Sequence, residues 1–173
     1  MNEIEQLLTI AEVSVALAGF AGIVATFQFR QQVNVNRGHA LALSMIVNIS
    51  LVGALFAVLP MVFINYGIAE EDVWPICSAL MGINISIFIF YVWRTTRLNS
   101  LPFKTRIIFS SFFVVAFAIV CANFMNSVGL VFENQFGTYF ISFVFCFFLV
   151  GYNFSRLLML PLWKQIHRQE VVS

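Results

Sequence analysis

The stretch IAEVSVALAGFAGIVATF, residues 10–27, decides how many times this chain crosses a membrane. A span of ~30 Å of hydrocarbon takes about 20 apolar residues at ~1.5 Å each, and this stretch with its flanks suffices. Yet it holds a carboxylate, Glu12, and is built largely from Ala, Gly, Ser and Val, whereas the rest of the chain is rich in Phe, Ile and Leu. Counted as a crossing, it is the first of five apolar segments: Thr9–Phe29, Leu41–Tyr66, Pro75–Trp93, Ile107–Asn126 and Gly137–Leu160. The alternative is four full spans with a re-entrant or interfacial N-terminal helix. Its length, and the basic Arg30 at its end, favour a crossing.

Composition points the same way. The 173 residues are 61% hydrophobic and only 10% charged, with 21 Phe. Soluble domains are about 25% charged because their surface faces water. The expected fold class is therefore an all-α polytopic integral membrane protein, a bundle of five transmembrane helices. Residues 1–173 are read as a single transmembrane helical domain, since the polar connectors are short and no repeat or low-complexity linker interrupts them.

Charge sets the expected orientation. Arg30, Arg37, Arg94, Arg97, Lys104, Arg106, Arg156, Lys164 and Arg168 are all nine basic residues, and all fall on one side of a five-span alternation. Glu3, Glu5, Glu70, Glu71, Asp72 and Glu133 fall on the other, with Glu12 near them. Basic residues accumulate on the cytoplasmic side. The expectation is an N-terminus outside, basic loops and C-terminus in the cytoplasm, in a plasma or bacterial inner membrane. MNEIEQLL lacks the basic n-region of a signal peptide, so no cleavage is expected.

Local punctuation refines the spans. Asp72 is placed to cap the third helix and Pro75 suits its first turn. Pro60 should kink the second span. Pro161 should end the fifth, leaving LWKQIHRQE as a cytoplasmic or interfacial tail. Trp74, Trp93 and Trp163 fall at expected membrane interfaces, and Arg156 is placed to reach lipid phosphates.

At about 100° per residue, Val13, Leu17, Phe20, Val24 and Phe27 share one narrow face of the first helix. Small residues cover much of the opposite side, with Ser14, Ala18, Gly22 and Thr26 forming an unbroken small-xxx-small series. Small residues let helix backbones approach closely, which drives packing where lipid offers no hydrophobic gain. Glu12 lies toward the small side, near Gly19 and Thr26 in angle. That face is expected either to pack against other helices or to line an aqueous path around an oligomer axis.

Polar residues at membrane depth need partners. Asn48 and Asn84 both come out ~12–15 Å from the basic side and are expected to bond one another as intramembrane contacts. Glu12 and Asn123 share a second depth, ~24–26 Å from that side, with Asn126 and Ser127 slightly beyond. Asn123 is therefore a candidate partner for the Glu12 carboxylate.

Several chemistries find no support. His39 and His167 lie outside the spans, so haem ligation inside the membrane is not expected. Cys77, Cys121 and Cys146 form no CxxC pair and read as small apolar side chains. No metal site, cofactor or nucleic-acid partner is expected, and no nucleophile paired with a base suggests an enzyme. Two functions remain. The first is a small homo-oligomeric channel, pore or permease passing ions or small solutes. Its first helix would be central, and Glu12, Gly19, Thr26 and Asn123 are the pathway candidates. The second is a non-conducting membrane subunit or anchor that docks a partner membrane protein through its transmembrane helices. The lipid bilayer is the partner common to both.

Overall fold

The computed structural model describes the backbone of residues 2–31, 37–95, 103–130 and 134–170, and side chains within 2–27, 42–95, 106–130 and 134–157. Among the described residues the chain is all-helical. Its elements are α1 (Glu3–Gln31), α2 (Arg37–Asn65), α3 (Glu70–Thr95), α4 (Phe103–Ser127) and α5 (Gln135–Glu170). Each contains a segment long and apolar enough to cross a membrane: Glu3–Phe27, Ala42–Asn65, Glu70–Thr95, Arg106–Ser127 and Gln135–Leu157. α1 is one unbroken helix of 29 residues. It has the length of a full span, not of a segment that turns back within the membrane.

The helices start and stop for local reasons. α1 begins at Glu3, six residues earlier than Thr9, because the Glu5 side chain caps its N-terminus. Glu5 Oε2 accepts from the Asn2 amide at 3.2 Å, as the acid of a capping box does. α2 and α4 end in the same way. Gly67 and Gly129 adopt φ of 84° and 70°, a left-handed conformation that costs a residue with a Cβ. Ile68 N then donates to Phe63 O and Gly67 N to Ile64 O, while Leu130 N donates to Met125 O and Gly129 N to Asn126 O. Both are Schellman motifs, which satisfy carbonyls a helix end leaves bare. At α5, Asn134 Oδ1 accepts from Gly137 N at 2.8 Å and caps the first turn.

Two prolines depart from expectation. α3 starts at Glu70, so Pro75 lies inside the helix and Asp72 sits in the first turn with Glu70 and Glu71 instead of capping it. The amides of Asp72 and Val73 both reach Ala69 O, which moves the start back. Three acids at that end suit the positive pole of the helix. α5 does not stop at Pro161 but runs on to Glu170. α2 continues through Pro60, which is buried, without interruption.

The chain forms two compact units, Met1–Val58 with Cys146–Ser173, and Leu59–Phe145. In the first, Ala21, Ile46 and Val150 form a buried cluster, flanked by Leu17, Val47, Ile49 and Phe154. The Phe20 and Phe154 rings lie 5.4 Å apart. α1 and α2 approach closely where Ser14 faces Gly53: a Cβ on that glycine would meet Ser14 Oγ at 3.3 Å. In the second unit α3 packs along α4. They approach closely at Gly82, where an added Cβ would lie 3.4 Å from Asn123 Cβ and 3.5 Å from the Phe124 ring. Trp74 meets Phe136 edge-on at 5.2 Å, and Tyr139 meets Phe143 edge-on at 5.1 Å.

The outward surfaces are strongly apolar. Leu55, Ile87, Val114, Phe117 and Phe148 are all exposed, whereas Ser14, Ser50, Ser78, Asn123, Asn126, Thr138 and Ser142 are buried. This reversal of the soluble pattern fits a hydrocarbon surround, which accepts Phe and Ile and offers polar groups nothing.

The Gly82 contact yields a test. Gly82→Ala adds only an ordinary van der Waals contact and should leave the unfolding midpoint in detergent nearly unchanged. Gly82→Leu must push α3 off α4 and should cost ~1–3 kcal/mol in the same titration, as overpacking does.

Candidate functional site

Two features stand out from the apolar background: a buried amide cluster in the second unit and an exposed face of α1. The cluster is built from α4. Asn123 and Asn126 stand three residues apart and therefore on one side of the helix, toward its Gly129 end. Both are fully buried. Asn123 Nδ2 donates at 2.8 Å to Ile119 O and at 2.8 Å to Ser142 Oγ on α5. Asn126 Nδ2 donates at 2.8 Å to Ser78 Oγ on α3 and at 2.9 Å to Gln135 O at the start of α5. One helix thus pins both neighbours.

The amide orientation follows from these partners. Each Nδ2 faces a backbone carbonyl, which accepts but cannot donate, so neither amide can be turned over. Turning would set two carbonyl oxygens against each other. As a result Asn123 Oδ1 and Asn126 Oδ1 are buried acceptors with no donor among the described residues. Ser14 Oγ and Ser50 Oγ, on α1 and α2 of the first unit, are in the same condition. An ordered water, or a solute bearing an N–H, an O–H or a positive charge, is the kind of partner such atoms take. They can bind and orient, but they supply no nucleophile and no acid or base. Among the described residues no three His, Cys, Asp or Glu side chains gather to hold a metal ion.

The second feature is a face of α1 that is exposed among the described residues. Glu12, Gly19 and Thr26 are all exposed, on the same side of the helix. Gly19 and Gly22 have nothing within 4 Å of an added Cβ. Thr26 Oγ1 donates to Gly22 O at 2.9 Å, so its hydrogen is used within the helix. Because α1 starts at Glu3, Glu12 stands more than two turns inside it, ~13 Å along the axis from its beginning.

The structure divides the small-xxx-small series. Ser14 is buried, Ala18 half-buried, and Gly22 and Thr26 exposed. Four residues turn about 400°, so each step of the series advances about 40° around the helix. The series winds from the packed face to the open one, and packing falls to Leu7, Ser14 and Ala21 instead.

The remaining candidates scatter. Asn48 is exposed and Asn84 half-buried. Asn123 finds its partners in Ile119 and Ser142, within its own unit, not in a carboxylate. Trp93 and Arg156 are exposed, while Trp74 is half-buried among Phe136 and Tyr139. The Trp163 side chain lies outside the described residues. Sequence reasoning missed Ser78 and Ser142 and gave Asn126 no role. The available signal was the pair of amides three residues apart near a helix end.

Comparison of the chain with models of protein families, with curated proteins and with solved structures finds no match.

Replacing Asn126 with Leu removes the donor from both Ser78 and the Gln135 carbonyl. Destabilisation of ~1 kcal/mol or more is expected in a detergent unfolding titration, because the buried Ser78 hydroxyl and the part-buried Gln135 carbonyl both lose their donor. Asn84→Leu, at a half-buried position, should cost clearly less.

Proposed function

We propose that this chain is the subunit of a small homo-oligomeric membrane pore or permease, with α1 facing a shared axis. The reading rests on one observation. Glu12 is exposed on α1 well inside a segment of transmembrane length, together with Gly19 and Thr26. A carboxylate turned toward lipid is costly, whereas one turned toward water, or toward copies of itself around a wet axis, is not. Five helices are few to enclose an aqueous path, so symmetry supplies the missing wall. In this arrangement Glu12 forms a ring of charge near one mouth, drawing cations in, while Gly19 and Thr26 line the narrower stretch with small side chains. The amides of α4 hold α3 and the start of α5 together within the second unit. The basic connectors and the C-terminal end face the cytoplasm of a plasma or bacterial inner membrane, which puts Glu12 toward the outer mouth.

The same open face also suits a partner's helix, because Gly19 and Gly22 permit close backbone approach. The two readings separate on flux. Purified protein in liposomes should form oligomers that pass small monovalent cations, and Glu12→Gln should lower that flux about ten-fold by removing the attracting charge. Oligomers that insert correctly and pass nothing would overturn the pore and leave the docking subunit. Gly19→Cys should cross-link copies to each other under oxidation.

A further inference from the structure

We infer that the cleft between α3 and α4 is a binding site for an anionic phospholipid. The cleft holds about 610 Å³. Its α3 wall is Ser86, Ile89, Phe90 and Trp93, spaced as one face of a helix. Its α4 wall includes Ser110, Phe113, Val114 and Phe117, again one face. The two helices approach closely at Gly82, against Asn123 and Phe124, and the cleft is lined by residues between that contact and the end of α3 and start of α4. Large rings form the rims, with Trp93 60% and Phe117 66% exposed, while the small side chains of half-buried Ser86 and exposed Ser110 leave room between them. The Ser86 hydroxyl donates to Gly82 O at 2.8 Å, so its hydrogen is spent within α3 and the wall behaves as apolar.

Charge identifies the occupant. Each helix carries an arginine at the same end of the cleft: Arg94 directly follows Trp93 and stands four residues past Phe90 on α3, and Arg106 stands four residues before Ser110 on α4. Both are exposed. From Ser110 to Val120 the wall runs ~15 Å along α4, which is half the ~30 Å hydrocarbon thickness, one leaflet. A phospholipid with its acyl chain in the cleft therefore has its headgroup level with two guanidiniums, which favour a phosphate beside a second negative charge. A helix from another protein would gain from the apolar walls but not from the arginines. The inference is independent of whether α1 lines a pathway.

The test uses Trp93, which lines the cleft, as the reporter. Trp74→Phe and Trp163→Phe leave it as the sole tryptophan of the three. In mixed vesicles, phosphatidylglycerol with brominated chains should reach half-maximal quenching of Trp93 at about a ten-fold lower mole fraction than brominated phosphatidylcholine, as two surface arginines would produce. Replacing both with Arg94→Gln and Arg106→Gln should make the two curves coincide. Filling the cleft with Ser110→Phe should weaken quenching by phosphatidylglycerol while leaving the protein folded, as its circular dichroism would report. Equal curves for the two lipids in the unaltered cleft, or a preference that survives loss of both arginines, would overturn the site. So would disulfide cross-linking of copies through Ser110→Cys, which would assign the cleft to a second subunit.

Discussion

Hydrocarbon offers a polar group no partner, and this constraint orders every element of the molecule. Backbone amides are satisfied first, by continuous helices of transmembrane length. Helix ends come next, through the Schellman glycines of α2 and α4 and the asparagine cap of α5. Side chains follow. Ser78, Asn123, Asn126 and Ser142 turn inward and bond one another across three helices, while Phe and Ile cover the outside. An interhelical bond of this kind averages only ~0.6 kcal/mol in a membrane. Its larger effect is to specify orientation, since a rotated α4 would expose both amides to lipid.

That ordering explains what could be read from the sequence. Length and apolarity determine how many helices form, so five spans were legible, with helix ends lying six, five and ten residues further out at Glu3, Glu70 and Glu170. Those errors share a cause: capping bonds and Pro tolerance extend helices into polar flanks that hydropathy assigns to connectors. Which face of each helix turns inward was far less legible. The spans are apolar all round, so hydrophobic periodicity carries little information. The informative residues are the small and polar ones, and they mislead when read in fours. Ser14, Ala18, Gly22 and Thr26 look like a stripe on paper, yet they wind a third of the way around α1.

The buried amides were half legible. Depth placed Asn123 and Asn126 together, but depth says nothing of azimuth, so Asn123 was matched with Glu12 instead of with Ser142. A serine is easily overlooked as a partner in a membrane helix, because its hydroxyl is often satisfied by its own preceding turn, as at Ser86. Ser78 and Ser142 each accept from an asparagine instead, and these were the contacts that only coordinates could supply.

The turn between α2 and α3 has a consequence for how the chain sits in its membrane. Only Tyr66, Gly67, Ile68 and Ala69 separate the two helices, and Gly67 takes the left-handed conformation within that turn. So short a link holds the facing ends of α2 and α3 together as a tight hairpin, with Glu70, Glu71 and Asp72 at its tip. Such acids are expensive in hydrocarbon, on the order of 2.5 to 3.5 kcal/mol for an aspartate at mid-membrane. The tip is therefore kept at the membrane's edge, and it sets how deep both apolar arms can sit. A side chain at Gly67 would strain the turn and disturb the depth of two helices at once.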